Sequence, residues 1–209
     1  LPGVTTFDKH REDYEAWFAA NPQAYEAELR AVRALLPEAG NGLEIGVGSG
    51  RFAAPLGIRY GVEPSRAMRE KARERGIKVI KGVAEALPFG EQEFDFALMV
   101  TTICFLDDMD LAFGEVLRVL KPDGCFIIGF VDRESPLGKF YQARKAKSTF
   151  YKEATFFSVD ELIIHLKEAG FRRFTFRQTL FRPLQEISAS EPVKEGHGEG
   201  SFVAIKATP

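Results

Sequence analysis

Leu43-Glu44-Ile45-Gly46-Val47-Gly48-Ser49-Gly50 is the stretch on which the reading of this chain turns. Leu43–Val47 is a short run containing β-branched residues, the pattern of a buried strand. It breaks into glycines at alternate positions, which let a backbone turn sharply and lie bare against a ligand. The same glycines also fit a plain strand-to-helix turn, so their meaning depends on what surrounds them.

Outward from this stretch, strand and helix patterns alternate. Tyr60–Glu63 reads as a second strand, and Ser65 is placed to cap a helix that stops at Gly76. Ile77–Lys81 alternates as a third strand, and Phe94–Val100 is apolar enough to be a fourth, buried on both faces. Leu111–Leu120 carries Phe113, Val116, Leu117 and Leu120 on one helical side. Lys121-Pro122-Asp123-Gly124 has turn composition, and Cys125–Val131 follows as a fifth strand. Ser158 and Glu161 have capping-box spacing at the head of a helix that ends at Gly170. Phe171–Phe181 and Ser201–Ala207 complete the strands. Before all of this, Asn21-Pro22 reads as N-cap and first helical residue, with Tyr25, Leu29, Val32 and Leu36 on one stripe. Asp8–Phe18 predicts a shorter helix. The pattern is that of an α/β, doubly wound, mostly parallel sheet, in which ligands bind at the carboxyl ends of the strands.

Composition narrows the function classes. The chain has 209 residues, 45% hydrophobic and 28% charged, with a net charge of −2, which fits one globular domain. No apolar run approaches the roughly 20 residues of a membrane span, and no stretch near Leu1 reads as a secretory signal. Cys104 and Cys125 are too few for a disulfide framework, so a cytoplasmic location is expected. The charge balance argues against bulk nucleic-acid binding. His10, His165 and His197 have no metal-ligand spacing with the cysteines, so no metal is expected.

Two acids give the glycine loop its meaning. Glu44 lies inside the motif, where a carboxylate complements the ammonium group of an amino-acid-like ligand. Glu63 closes the second strand, where its two oxygens can accept both hydroxyls of a ribose. A dinucleotide loop fits less well, because the last glycine of G-x-G-x-x-G falls on Arg51, with Gly50 one place early.

With these acids the segment from Leu43 to Phe130 resembles the class I S-adenosylmethionine-dependent methyltransferases of small-molecule type. Glu44–Gly50 matches that family's first motif. Gly61-Val62-Glu63-Pro64-Ser65 with Met68 and Ala72 resembles its ribose-binding strand end and helix. Gly82–Phe89 resembles the segment along the adenine, Glu93–Phe96 the opening of the fourth strand, and Leu120–Gly124 the turn into the fifth. The resemblance implies strand order 3-2-1-4-5-7-6 with the last strand antiparallel. It implies S-adenosylmethionine as cofactor and S-adenosylhomocysteine as product. It assigns cofactor binding to Glu44, Gly46, Gly48, Gly50, Glu63, Pro64, Ser65, Met68, Ala84, Glu85 and Thr101. Two departures stand out. Gly50 to Glu63 is only thirteen positions, so the helix between them has about two turns or fewer. Val83 occupies a position where many members hold the adenine with Asp, which leaves that task to groups near Ala84 and Glu85.

The expected organisation is a helical cap at 1–40, a cofactor-binding half at 41–131, a lid at 132–157, and a helix and strands at 158–209. The expected reaction is in-line methyl transfer to nitrogen or oxygen of a small-molecule acceptor, with positioning as the main source of rate. Thr101 follows the fourth strand, beside the expected methyl position. His197, in the glycine-rich stretch between the last two strands, is the candidate general base. Tyr14 and Trp17 of the cap and Tyr141 and Tyr151 of the lid are candidates to line the acceptor pocket, and the lid's basic residues favour an anionic acceptor group. Two other readings remain open: a non-catalytic S-adenosylmethionine-binding module, and a methyltransferase acting on RNA through the basic lid. Oligomeric state is not legible.

Overall fold

The computed structural model describes Pro2–Pro209, with side-chain surroundings from Thr6 onward. Its strands are β1 (Gly42–Ile45), β2 (Tyr60–Val62), β3 (Lys78–Ile80), β4 (Phe94–Val100), β5 (Leu120–Val131), β6 (Arg173–Thr179), β7 (Lys194–Glu195) and β8 (Phe202–Thr208). They form one sheet in the order β3-β2-β1-β4-β5-β8-β6-β7. β1 to β5 pair in parallel, whereas β8 runs antiparallel between β5 and β6. The order implied by the sequence is therefore present, with β8 as its seventh strand. The eighth strand is β7, where the long stretch after β6 folds back and pairs Glu195 with Arg177 and Lys194 with Gln178.

Side chains along β4 divide the core by the period of two. Ala97 and Met99 face one way with Leu43 and Ile45 of β1, and pack against Phe113 of α5 (Met109–Val119) and Leu162 of α7 (Val159–Ala169). Phe96, Leu98 and Val100 face the other way, toward Leu29 and Val32 of α3 (Pro22–Arg33) and Ala72 of α4 (Arg66–Glu74). Phe126 is fully buried, edge-on to Phe113 with centroids 5.4 Å apart, and each such aromatic contributes about 1.5–3 kcal/mol by burial.

Local rules place the helix ends. Ser65 Oγ accepts from Met68 N to cap α4, and Ser158 with Glu161 forms the full capping box of α7, which Gly170 closes at φ 114°. Four expectations are corrected. Asn21 does not cap α3 with its side chain; its Nδ2 donates to Trp17 O and closes α2 (Arg11–Ala20) instead. The helix expected at Asp8–Phe18 is split at His10 into α1 (Pro2–Lys9) and α2. No α-helix follows the glycine loop: the chain from 48 to 57 runs in successive turns. Ala54 N reaches Gly50 O and Leu56 N reaches Phe52 O, but Pro55 between them has no N–H to continue the ladder. Finally, Lys121–Gly124 is a bulge within β5 rather than a turn before it. Phe94 pairs with Leu120 and Phe96 with Cys125, so the extra residues loop out of register.

The segment between β5 and α7 forms α6 (Pro136–Arg144) and two 3-10 turns at Lys145–Lys147 and Tyr151–Glu153. The stretch after β6 is anchored by buried Glu191, which accepts from Phe181 N at 2.8 Å and Arg182 Nε at 2.6 Å.

Candidate active site

A cavity of about 390 Å³ opens where the carboxyl ends of all five parallel strands converge. This is within the usual size of a small-molecule site. Its floor begins at the glycine loop. Gly46 has φ 68°, and a Cβ there would lie 2.4 Å from Thr102 Cγ2. Thr102 Oγ1 in turn donates to Val100 O at 3.0 Å and Gly46 O at 3.3 Å, so the end of β4 and the loop lock together. Gly48 has φ 52°, but its missing Cβ would meet only the Tyr14 hydroxyl, at 3.3 Å, across the cavity. Gly48→Ala is therefore expected to lower stability by about 1–2 kcal/mol through backbone strain alone. Gly46→Ala adds at least about 1 kcal/mol of overpacking to the same strain. Thermal unfolding of the two variants checks the ranking, and equal losses would contradict it.

Glu63 stands opposite the loop. Its Oε2 accepts from Gly48 N at 3.0 Å and its Oε1 from Ser65 N at 2.8 Å. It is 7% exposed, and burial pushes its carboxyl up to about 7 against the pull of those two N–H groups. Each oxygen keeps a further lone pair for a ligand hydroxyl. Ser65 itself is behind the wall, holding Glu63 and α4 and donating to Asp8 Oδ1 at 2.6 Å. Thr101, on the wall, has φ 49°, a strained conformation for a β-branched residue, and is held by a 2.7 Å bond from its N to Gly129 O.

Of the residues singled out in the sequence, Gly46, Gly48, Glu63, Pro64, Met68, Ala84, Glu85 and Thr101 line the cavity, as do Tyr14, Trp17, Tyr141 and Tyr151. Glu85 also holds the far rim, accepting from Asp107 N at 2.9 Å and Asp108 N at 3.3 Å. Glu44 lies one residue behind the lining residues Ile45 and Gly46. It is 2% exposed with Oε2 unpartnered, and burial pushes its carboxyl well above the usual range. Gly50 is not on the wall: a Cβ there would sit 2.5 Å from Ile77 Cδ1, so this glycine serves close packing on β3 and α4. His197 is not brought to the cavity either. The β7 hairpin turns it back onto Phe176, with ring centroids 4.8 Å apart, which removes it from the position expected of a base.

The charge of the wall also corrects an expectation. Among the described residues that line it, the charged ones are Asp13, Glu28, Glu63, Glu85, Asp107 and Glu153, and none is basic. The basic residues of the segment 132–157 are not among the lining residues, so an anionic acceptor group finds no cationic side chain there. Wall residues that the sequence does not single out include Phe7 of α1, Phe105 and Glu28. Phe7 stacks on Phe150, one of the aromatic residues of the segment 132–157, and stands edge-on to Phe105, each at 5.3 Å. The signal of Glu28 is a stripe of Ala24, Ala27, Glu28 and Ala31 on α3, beside the larger apolar stripe and equally buried.

Cys104 lines the cavity as a thiol, since burial pushes it up to about 12. Away from the cavity, Asp110, His165 and Glu168 group on the outer faces of α5 and α7, where His165 Nδ1 lies 2.6 Å from Asp110 Oδ1. No helix among the described residues is long and apolar enough to cross a membrane.

Comparison with known proteins agrees with this geometry. The sequence model described as "Methyltransferase domain" matches residues 43–128. A crystal structure from Thermotoga maritima, described as an S-adenosylmethionine-dependent methyltransferase and "possible histamine N-methyltransferase", is 55% identical. The match covers 98% of each chain, with a TM-score of 0.96. This chain belongs to the S-adenosylmethionine-dependent methyltransferases. An uncharacterized protein of Methanocaldococcus jannaschii is 47% identical over 98% of both chains. The malonyl-[acyl-carrier protein] O-methyltransferase of Geobacter sulfurreducens is 29% identical, covering 79% of this chain and 68% of that one.

The cofactor of the family, S-adenosylmethionine, fits the residues present. Glu63 offers two pinned oxygens to a diol, Gly48 turns the loop at a φ of 52° beneath the Tyr14 hydroxyl, and Glu44 keeps a buried oxygen in want of a donor. An all-acidic wall suits a ligand that carries both a sulfonium and an ammonium charge.

Proposed function

We propose that the chain transfers a methyl group from S-adenosylmethionine to nitrogen or oxygen of a small-molecule acceptor. The observation that carries this is the continuity of the cavity. One cavity is lined both by Gly48 and Glu63 and by the aromatic side chains of Trp17, Tyr141 and Tyr151. When bound, the cofactor supplies an electrophilic methyl on a cationic sulfur. Glu63 fixes the orientation of the ribose end, and the Thr102–Gly46 lock keeps the glycine loop at a set distance from the end of β4. Positioning of this kind is worth roughly 7–11 kcal/mol in a displacement that needs collinear atoms. Aromatic faces around the cavity exclude water and favour the positive charge that passes to the acceptor.

The roof of α1 and α2 and the segment 132–157 limits the acceptor to small size, and the wall without basic residues disfavours RNA. The description of the Thermotoga relative as a possible histamine N-methyltransferase supports an amine acceptor. The test is incubation of the purified chain with methyl-labelled cofactor and a panel of amines, phenols and carboxylates. Label transfer with release of S-adenosylhomocysteine is expected on at least one of the small molecules. Tight binding of cofactor and product with no transfer to any of them would favour the non-catalytic reading.

A further inference from the structure

We propose that Glu28 recognises a cationic nitrogen of the methyl acceptor, with Trp17, Tyr141 and Tyr151 around it, so that the acceptor is an amine with an apolar body. The inference rests on the methyltransferase reading and narrows it to one acceptor class.

Glu28 occupies the inner face of α3 with alanines at 24, 27 and 31 on either side. Their small size brings the helix close to the sheet and leaves the long side chain room to reach the cavity, which it lines at 4% exposure. Buried carboxylates ordinarily hold partners. Glu63 has two N–H donors, and Glu191 has Arg182 and Phe181 N. Glu28 has neither hydrogen bond nor ion pair from any described residue, and burial alone pushes its carboxyl up to about 8.

The surroundings point to the charge of the missing partner. The titratable groups that share the wall are acids, phenols and the Cys104 thiol, so no resident cation competes for Glu28. Tyr141 and Tyr151 stand with centroids 5.0 Å apart, and Tyr151 stacks over Phe105 at 6.4 Å. Aromatic faces beside a carboxylate make a site for an ammonium or imidazolium group, each contributing attraction the other lacks. An alcohol gains little from such a site, and a carboxylate or phenolate is repelled by it.

The test is calorimetric titration of the full chain loaded with S-adenosylhomocysteine. The probes are histamine, 2-phenylethylamine and its neutral counterpart 2-phenylethanol. The wild type is expected to bind the amines on the order of tenfold more tightly than the alcohol. In Glu28→Gln the amines and the alcohol are expected to bind within about twofold of each other, with affinity for S-adenosylhomocysteine unchanged. Glu28→Asp, which keeps the charge, is expected to retain a preference for amines and guards against misfolding of the first variant. Equal binding of amine and alcohol by the wild type overturns the assignment. So does an intact amine preference in Glu28→Gln, or a loss of S-adenosylhomocysteine binding in that variant, which would place the carboxylate on the cofactor side. Failure of the wild type to bind S-adenosylhomocysteine at all would instead strike the methyltransferase reading and carry this inference down with it.

Discussion

Glu63→Ala is expected to weaken S-adenosylhomocysteine binding by at least about a hundredfold while the chain stays folded. The carboxylate accepts from Gly48 N and Ser65 N and is the acceptor placed for a ribose diol. Each hydrogen bond to a charged group contributes roughly 1.5–3 kcal/mol, so two lost to the ligand correspond to about 10²–10⁴ in affinity. Folding is less affected. The variant frees two buried N–H groups, but it also relieves the burial that pushes Glu63 up to about 7. Calorimetry with S-adenosylhomocysteine and a circular-dichroism melt separate the two effects. An affinity within tenfold of wild type in a folded variant would contradict the role given to Glu63.

The second large effect is a loss of stability with rising pH. Burial raises Glu28 from 4.5 to about 8 and Glu63 from 4.5 to about 7. Between those limits the folded chain holds protons that the unfolded chain has released. Stability then falls as pH rises, the reverse of a carboxylate held in an ion pair. The penalty is small below about pH 4.5, grows through the interval, and levels off above pH 8. From pH 5.5 to 8 the linkage amounts to about 3 kcal/mol for Glu28 and about 2 kcal/mol for Glu63. Urea denaturation of the ligand-free chain at both pH values measures these two together with the contribution, of the same sign, from buried Glu44. Glu28→Gln is expected to flatten the dependence and to be more stable than wild type at pH 8. A wild type equally stable at both pH values would contradict the burial of these acids.

The parts of the molecule legible in the sequence are those fixed by local rules. Ser65, Ser158 with Glu161, and Gly170 mark helix ends because capping acts over three or four residues. The glycine loop, Glu63, Pro64 and Met68 reach the cavity because they follow β1 and β2 directly, and strand ends are where such sheets bind ligands. What stayed hidden depends on contacts between distant segments. Phe7, Phe105 and Phe150 come from three separate stretches and meet only in the folded chain. Glu28 stands apart from other helix charges only through the burial of the alanines beside it, which depends on how α3 packs. His197 was misplaced because the hairpin formed by β7 could not be read from two strand residues in a glycine-rich stretch.

The run of turns from 48 to 57 has an electrostatic consequence. In nucleotide-binding sheets a helix usually starts at the glycine loop, and its aligned peptide dipoles present a partial positive charge to a pyrophosphate. Pro55 leaves only the Ala54–Gly50 and Leu56–Phe52 bonds of such a ladder here, so the loop presents a weaker positive end than a full helix start would. An anionic dinucleotide finds a weaker anchor at this loop. A ligand whose nearest charge is positive meets less of the repulsion that a full helix start would exert on it.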